Sequence, residues 1–179
     1  IIPHAGRFRL AMLGAKLARP FRALMPDPRL RAMLEMAPPS LPPPSRNDDA
    51  QTFAPEGPKR ARVALMIGCA QRALNTDIND ATIRLLRRHG CEVVVPKGVG
   101  CCGALTLHMG QEADGKARAR DSIRRLLAAE EGGALDAVII NTSGCGTTIK
   151  DYGHLFPDDP DAARVARLAK DVTEFFDRF

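Results

Sequence analysis

Three short apolar runs, each followed within a few residues by glycine and cysteine, constrain this chain more than any other feature. Residues 63–67 lead into Gly68-Cys69, residues 92–96 lead into Gly100-Cys101-Cys102-Gly103, and residues 137–140 lead into Gly144-Cys145-Gly146. Runs of this length without polar alternation suit strands buried on both faces, as in parallel sheets. Helical stripes separate them. Ile78, Ala81, Thr82, Leu85, Leu86 and His89 repeat at three and four residues and stop at Gly90; Ala119, Ile123, Leu126 and Leu127 do so within residues 112–129. Ala162, Val165, Ala166, Ala169, Val172 and Phe176 make a third stripe. The order β-α-β-α-β-α predicts an α/β fold: a small parallel sheet of about three to four strands with crossover helices. Ligands of such sheets gather at the carboxyl ends of the strands. Cys69, Cys101, Cys102 and Cys145 are therefore expected to converge there. Cys91 opens the second strand, so it belongs at the opposite end, as a buried structural thiol.

The residues around the four thiols suit anionic sulfur. Gly103, and the glycines flanking Cys145, let the backbone approach a bulky group. Backbone N–H groups freed at such turns can hydrogen-bond to sulfur and raise a reduction potential. Cys102-Gly103 and Cys145-Gly146 each precede an expected helix, whose N-terminus favours thiolate over thiol. Four thiolates can hold one 4Fe–4S cluster. Other readings stay open: tetrahedral zinc, although these cysteines lack the paired Cys-x-x-Cys knuckles common in zinc folds; a Cys101–Cys102 redox pair; or a Cys145 nucleophile with His108 or His154 as base. Lys97 and Lys150 flank the loops and could stabilise a reduced group by charge, although solvated lysines are the commoner case. Gly98-Val99-Gly100 lacks the third glycine of a dinucleotide fingerprint.

Composition sharpens the picture. A hydrophobic share of 45% supports one modest globular core, and 4% aromatics without tryptophan make that core aliphatic. So few aromatics argue against base-stacking nucleic-acid modules. Residues 1–62 carry 11 Lys/Arg against 5 Asp/Glu, and residues 63–179 carry 15 against 16. The net positive charge therefore comes from the N-terminal segment, and no nucleic-acid partner is expected. Residues 1–36 read as a basic helical segment, with Pro20 ending the helix in residues 7–25. That stretch suits packing on a neighbouring domain, and as a second reading peripheral contact with an anionic membrane. It is too short and too charged to span a bilayer. Residues 37–60 are Pro-rich and then polar, and read as a linker. Residues 61–179 form the cysteine-rich unit.

Gly68-Cys69-Ala70-Gln71, Gly100-Cys101-Cys102-Gly103-Ala104, Ser143-Gly144-Cys145-Gly146 and Lys150-Asp151-Tyr152-Gly153 together resemble the CCG cysteine-rich domain. That domain occurs in heterodisulfide reductase B-type subunits, in anaerobic glycerol-3-phosphate dehydrogenase C-type subunits, and in the iron–sulfur subunits of glycolate and lactate oxidases. The resemblance is strongest to the glycolate oxidase iron–sulfur subunit. It implies an electron-transfer subunit, cytoplasmic or peripheral to the inner membrane. A flavin-containing partner, carrying FAD, would oxidise the substrate, so no complete active site is expected on this chain. The implied ligands are Cys69, Cys101, Cys102 and Cys145, holding a 4Fe–4S cluster. The ferredoxin-like Cys-x-x-Cys runs of that family and its second CCG are not in this sequence. The chain begins at Ile1, and reads as an internal piece ending in the first cysteine-rich domain. The general pattern also closes with Cys-x-x-Cys, and here Thr142 stands at its first position. That departure speaks against a double cluster and keeps a scaffold reading, redox-inactive or zinc-stabilised, as the alternative. Lactate or glycerol-3-phosphate oxidation, or heterodisulfide reduction, are the alternative chemistries.

Overall fold

The computed structural model describes residues 2–177 of the chain. Within them, five strands form one sheet: β1 (Gln51–Phe53), β2 (Ala61–Met66), β3 (Cys91–Val95), β4 (Ala137–Ile140) and β5 (Ala169–Asp171), in the spatial order β1-β3-β2-β4-β5. β2, β3, β4 and β5 are parallel, and β1 runs antiparallel on the β3 edge. The three apolar runs are the three central strands. Val63, Ala64, Leu65, Val93, Val138 and Ile139 are wholly buried, because helices cover both faces of the sheet.

Among the described residues, ten α-helices accompany the strands. α1 (Ala5–Ala18) and α2 (Pro28–Met36) precede the sheet; α3 (Gln71–Leu74) and α4 (Thr76–Arg88) connect β2 to β3. α5 (Ala104–His108) and α6 (Glu112–Ala128) connect β3 to β4, while α7 (Ser143–Lys150), α8 (Tyr152–Leu155) and α9 (Pro160–Leu168) connect β4 to β5. α10 (Val172–Asp177) follows β5. α1 stops at Ala18 and a tighter turn spans Arg19–Leu24, as the fixed ring of Pro20 requires. Among the described residues no helix is long and apolar enough to cross a membrane.

Two elements differ from the sequence expectation. The stripe over residues 162–176 is two helices with a strand between them. Ala169, Lys170 and Asp171 pair with Val138, Ile139 and Ile140, because the open edge of β4 offers backbone partners that outweigh helical continuity over three residues. Gln51–Phe53, within the stretch read as linker, pairs with β3 as its edge strand. The preceding Pro-rich stretch is tied to α4: the Thr76 hydroxyl donates to Pro43 O at 3.1 Å, and Ser45 and Asn47 donate to the Asp80 carboxylate at 2.6 and 2.9 Å.

The strand order has one consequence for the site. From β2 the chain crosses to β3 on one side and later to β4 on the other. The carboxyl end of β2 is thus a topological switch point, where α/β sheets open a crevice. Cys69, Cys101, Cys102 and Cys145 all lie on the segments that leave these three strands.

Candidate metal centre

Four thiols meet at that crevice. They influence one another in sequence, Cys69 with Cys101, Cys101 with Cys102 and Cys102 with Cys145. Cys101 and Cys102 are buried, Cys69 and Cys145 are partly exposed, and all five cysteines of the chain are free. Cys91 stands at the start of β3, fully buried at the other end of the sheet.

Electrostatics alternate along the chain of thiols. The Cys101 thiol is held far below its ordinary value, first by the bond from Cys102 and then by that from Cys69. The Cys145 thiol is lowered by the bond from Cys102. Cys69 and Cys102 are pushed up, because each donates to a thiolate neighbour and both are desolvated. Backbone N–H groups reinforce the anionic character: Ala70 at Cys69, Gly103 at Cys101 and Ala104 at Cys102. Arg118 on α6 adds the nearby positive charge, attracted to Cys101 and Cys69 and steadied by Asp114 at 2.8 Å. Lys97, by contrast, is exposed, and Lys150 is bound to Glu174 at 2.5 Å.

The Cys101-Cys102 loop is gripped from beneath. The Tyr152 hydroxyl donates to Cys102 O at 2.7 Å, and the Ser122 hydroxyl donates to Cys101 O at 3.1 Å. Tyr152 is completely buried and Ser122 nearly so. Gly103 then turns the chain into α5 with φ at +92°, and a Cβ there would sit 2.5 Å from Gly115 O on α6. Both reasons demand glycine.

Cys145 occupies the first turn of α7 rather than the loop before it, on a turn that carries no acidic residue. Its sulfur thus lies where the unpaired N–H groups of the helix are concentrated. Thr142 stands at the N-cap position of α7 but makes no capping bond; its hydroxyl donates instead to Gln71 Oε1 at 2.6 Å. His108 and His154 are exposed, and the contacts that define the thiol chain do not involve them.

Sequence reasoning missed Ser122, Arg118, Gln71 and Asn141. Arg118 forms an i, i+4 pair with Asp114, a common helix pattern that does not by itself mark a site. Ser122 is a small polar residue in a helical stripe, a position that carries no signal until the sheet is assembled.

Four thiols, with three backbone N–H groups and one guanidinium beside them, suit an iron–sulfur cluster. Among the described residues no three His, Cys, Asp or Glu side chains are grouped to hold one metal ion.

Residues 63–150 match the cysteine-rich domain family CCG. The chain is 39% identical over 120 residues to the probable glycolate oxidase iron-sulfur subunit of Bacillus subtilis (strain 168), covering 66% of this chain and 26% of that protein. It is 35% identical over 178 residues to the glycolate oxidase iron-sulfur subunit of Escherichia coli (strain K12), covering 97% of this chain and 40% of the relative. It is 34% identical over 117 residues to lactate utilization protein A of Bacillus velezensis, covering 65% and 47%. The chain thus spans less than half the length of these curated relatives. No solved structure matches it. The chain carries a cysteine-rich domain of the CCG family and is a relative of the glycolate oxidase iron–sulfur subunits.

Proposed function

We propose that this chain is the electron-transfer part of an iron–sulfur subunit in a glycolate-oxidising complex, with Cys69, Cys101, Cys102 and Cys145 as ligands of a 4Fe–4S cluster. The observation that carries the reading is the chain of four thiols at the switch point of the sheet. When bound, such a cluster accepts and releases single electrons. The protein's own part is to favour the thiolates of Cys101 and Cys145 and to keep Cys101 and Cys102 dry. Cys101 and Cys102 are buried, the Ala70, Gly103 and Ala104 N–H groups face sulfur, and Arg118 offsets negative charge. Tyr152 and Ser122 keep the Cys101-Cys102 loop from shifting.

In this reading a flavin-bearing subunit, with FAD, oxidises the substrate, and the thiol site passes electrons onward. Residues 61–179 are the cysteine-rich unit, residues 37–60 pack against it and supply its edge strand, and residues 1–36 are a docking segment. Leu10, Leu17, Phe21 and Leu24 are exposed on that segment, beside Arg7, Lys16 and Arg22. This surface suits a neighbouring domain or subunit, or peripheral contact with the cytoplasmic face of the membrane. The similarity to lactate utilization protein A favours lactate as the second substrate reading.

Anaerobic reconstitution with iron and sulfide tests the assignment. About four irons and four sulfides per chain, with an EPR signal on reduction that is lost in Cys145→Ser, supports it. A folded wild type that retains no iron refutes it in favour of a scaffold role.

A further inference from the structure

The segment carrying Cys69 leaves β2 and the segment carrying Cys145 leaves the adjacent β4. A line of side chains, most of them buried, joins them. Thr142 Oγ1 donates to Gln71 Oε1 at 2.6 Å, and Gln71 Nε2 donates to Asn141 Oδ1 at 3.0 Å. Asn141 Nδ2 donates to Asn79 Oδ1 at 3.0 Å and to Thr82 Oγ1 at 2.9 Å. Asn79 Nδ2 donates to Asp48 Oδ1 at 2.7 Å. Gln71, Asn79, Thr82 and Asp48 are all buried.

The line has a direction. An ionised Asp48 can only accept, so Asn79 presents its amide nitrogen to Asp48 and its oxygen to Asn141. The same constraint passes through Asn141 to Gln71, whose oxygen is left for the Thr142 hydroxyl. The Thr142 proton is therefore committed to Gln71. Gly68, the residue before Cys69, leaves the room this needs: a Cβ there would overlap Gln71 Oε1. Gln71 lies two residues after Cys69, and Thr142 lies three before Cys145. Their bond thus links one thiol-bearing segment directly to the other.

We infer that Gln71 and Thr142 are positioning residues that fix the Cys69 thiol relative to the Cys145 thiol through a side-chain chain anchored at Asp48. Thr142 closes the loop with a hydrogen bond at the place where a fifth thiol would stand, and the site is completed by four. The redox consequence rests on the cluster reading proposed above; the positioning itself does not.

Site-resolved alkylation of the metal-free, reduced full-length protein separates the two. Thr142→Val keeps the side-chain shape and removes the donor. It should raise the iodoacetamide rates of Cys69 and Cys145 about tenfold by freeing local opening, with Cys91 unchanged. Thr142→Ser should return both to within about twofold of wild type, because it restores the donor. Rates that do not change in Thr142→Val, a serine variant that behaves like valine, or a parallel rise at Cys91 would overturn the inference. In the iron-loaded protein, Thr142→Val should also shift the midpoint potential of the EPR-active group, and Thr142→Ser should not; identical potentials in all three would overturn the redox part. A wild type that takes up no iron would sink the cluster reading, while the alkylation rates would still decide the positioning.

Discussion

At the amino ends of the strands a cysteine and an arginine are buried as structural parts, whereas at the carboxyl ends the same residue types gather at an open crevice and act on one another electrostatically. Cys91 has its thiol pushed up to about 11, mainly by burial, and behaves as a small apolar core residue. Close by, Arg62 is held on every side. It donates to Glu92 at 2.6 Å and to the carbonyls of Ala129 and Gly133 at 2.7 and 2.6 Å, and its own N–H reaches Asp136 at 2.7 Å. At the other end, Cys101 and Cys145 are pushed down by thiol donors, and Arg118 keeps one side toward sulfur while Asp114 steadies it. Residue type therefore says little about role here. Position on the strand decides it, because the amino ends are sealed by side chains while the carboxyl ends open at the switch point.

Substitutions at the two ends should separate these roles. The largest stability effect belongs to the sealed end. Arg62→Met should lower stability by about 2–3 kcal/mol in urea unfolding, since Glu92 and two carbonyls lose a buried partner. The iron content of the folded fraction should stay at the wild-type level. Tyr152→Phe, at the open end, should cost about 1 kcal/mol, because Cys102 O loses its donor. It should also alter the EPR line shape of the iron-loaded protein, which Arg62→Met should leave alone. A silent Tyr152→Phe spectrum would mean that the grip beneath Cys101-Cys102 is purely structural.

The smallest effect has the opposite sign. Burial raises the Asp48 carboxyl above its ordinary value of 3.8, against the bond from Asn79. A raised acid favours folding in its protonated form, so its contribution is complete below the unfolded value and is lost as pH rises through the folded one. Asp48→Asn should therefore be more stable than wild type at pH 7, by less than about 1 kcal/mol, with the advantage fading as pH falls toward the ordinary carboxylate range. Urea unfolding at several pH values reads this directly.

The sheet was legible in the sequence where its strands are continuous apolar runs, and the thiol site was legible because each run delivers its cysteine to the same end. β1 was not legible. Gln51-Thr52-Phe53 is short and half polar, and only its pairing with β3 makes it a strand. β5 hid inside a helical stripe, since Ala169 and Val172 keep the three-residue spacing of a helix face across it. The supporting residues of the site were the least visible. Gln71, Asn141 and Ser122 act through partners many positions away, such as Gln71 with Thr142 across 71 residues. No local pattern signals such a pair. Thr142 itself looked like a missing ligand, and the fold gives it a bond of its own.

The most direct test of the contrast between the two ends is iron and acid-labile sulfide content, with EPR, for Cys102→Ser beside Cys91→Ser after the same anaerobic reconstitution. The account predicts that Cys91→Ser keeps the wild-type iron content and spectrum, while Cys102→Ser loses both. Equal retention in the two variants, or equal loss, would contradict it.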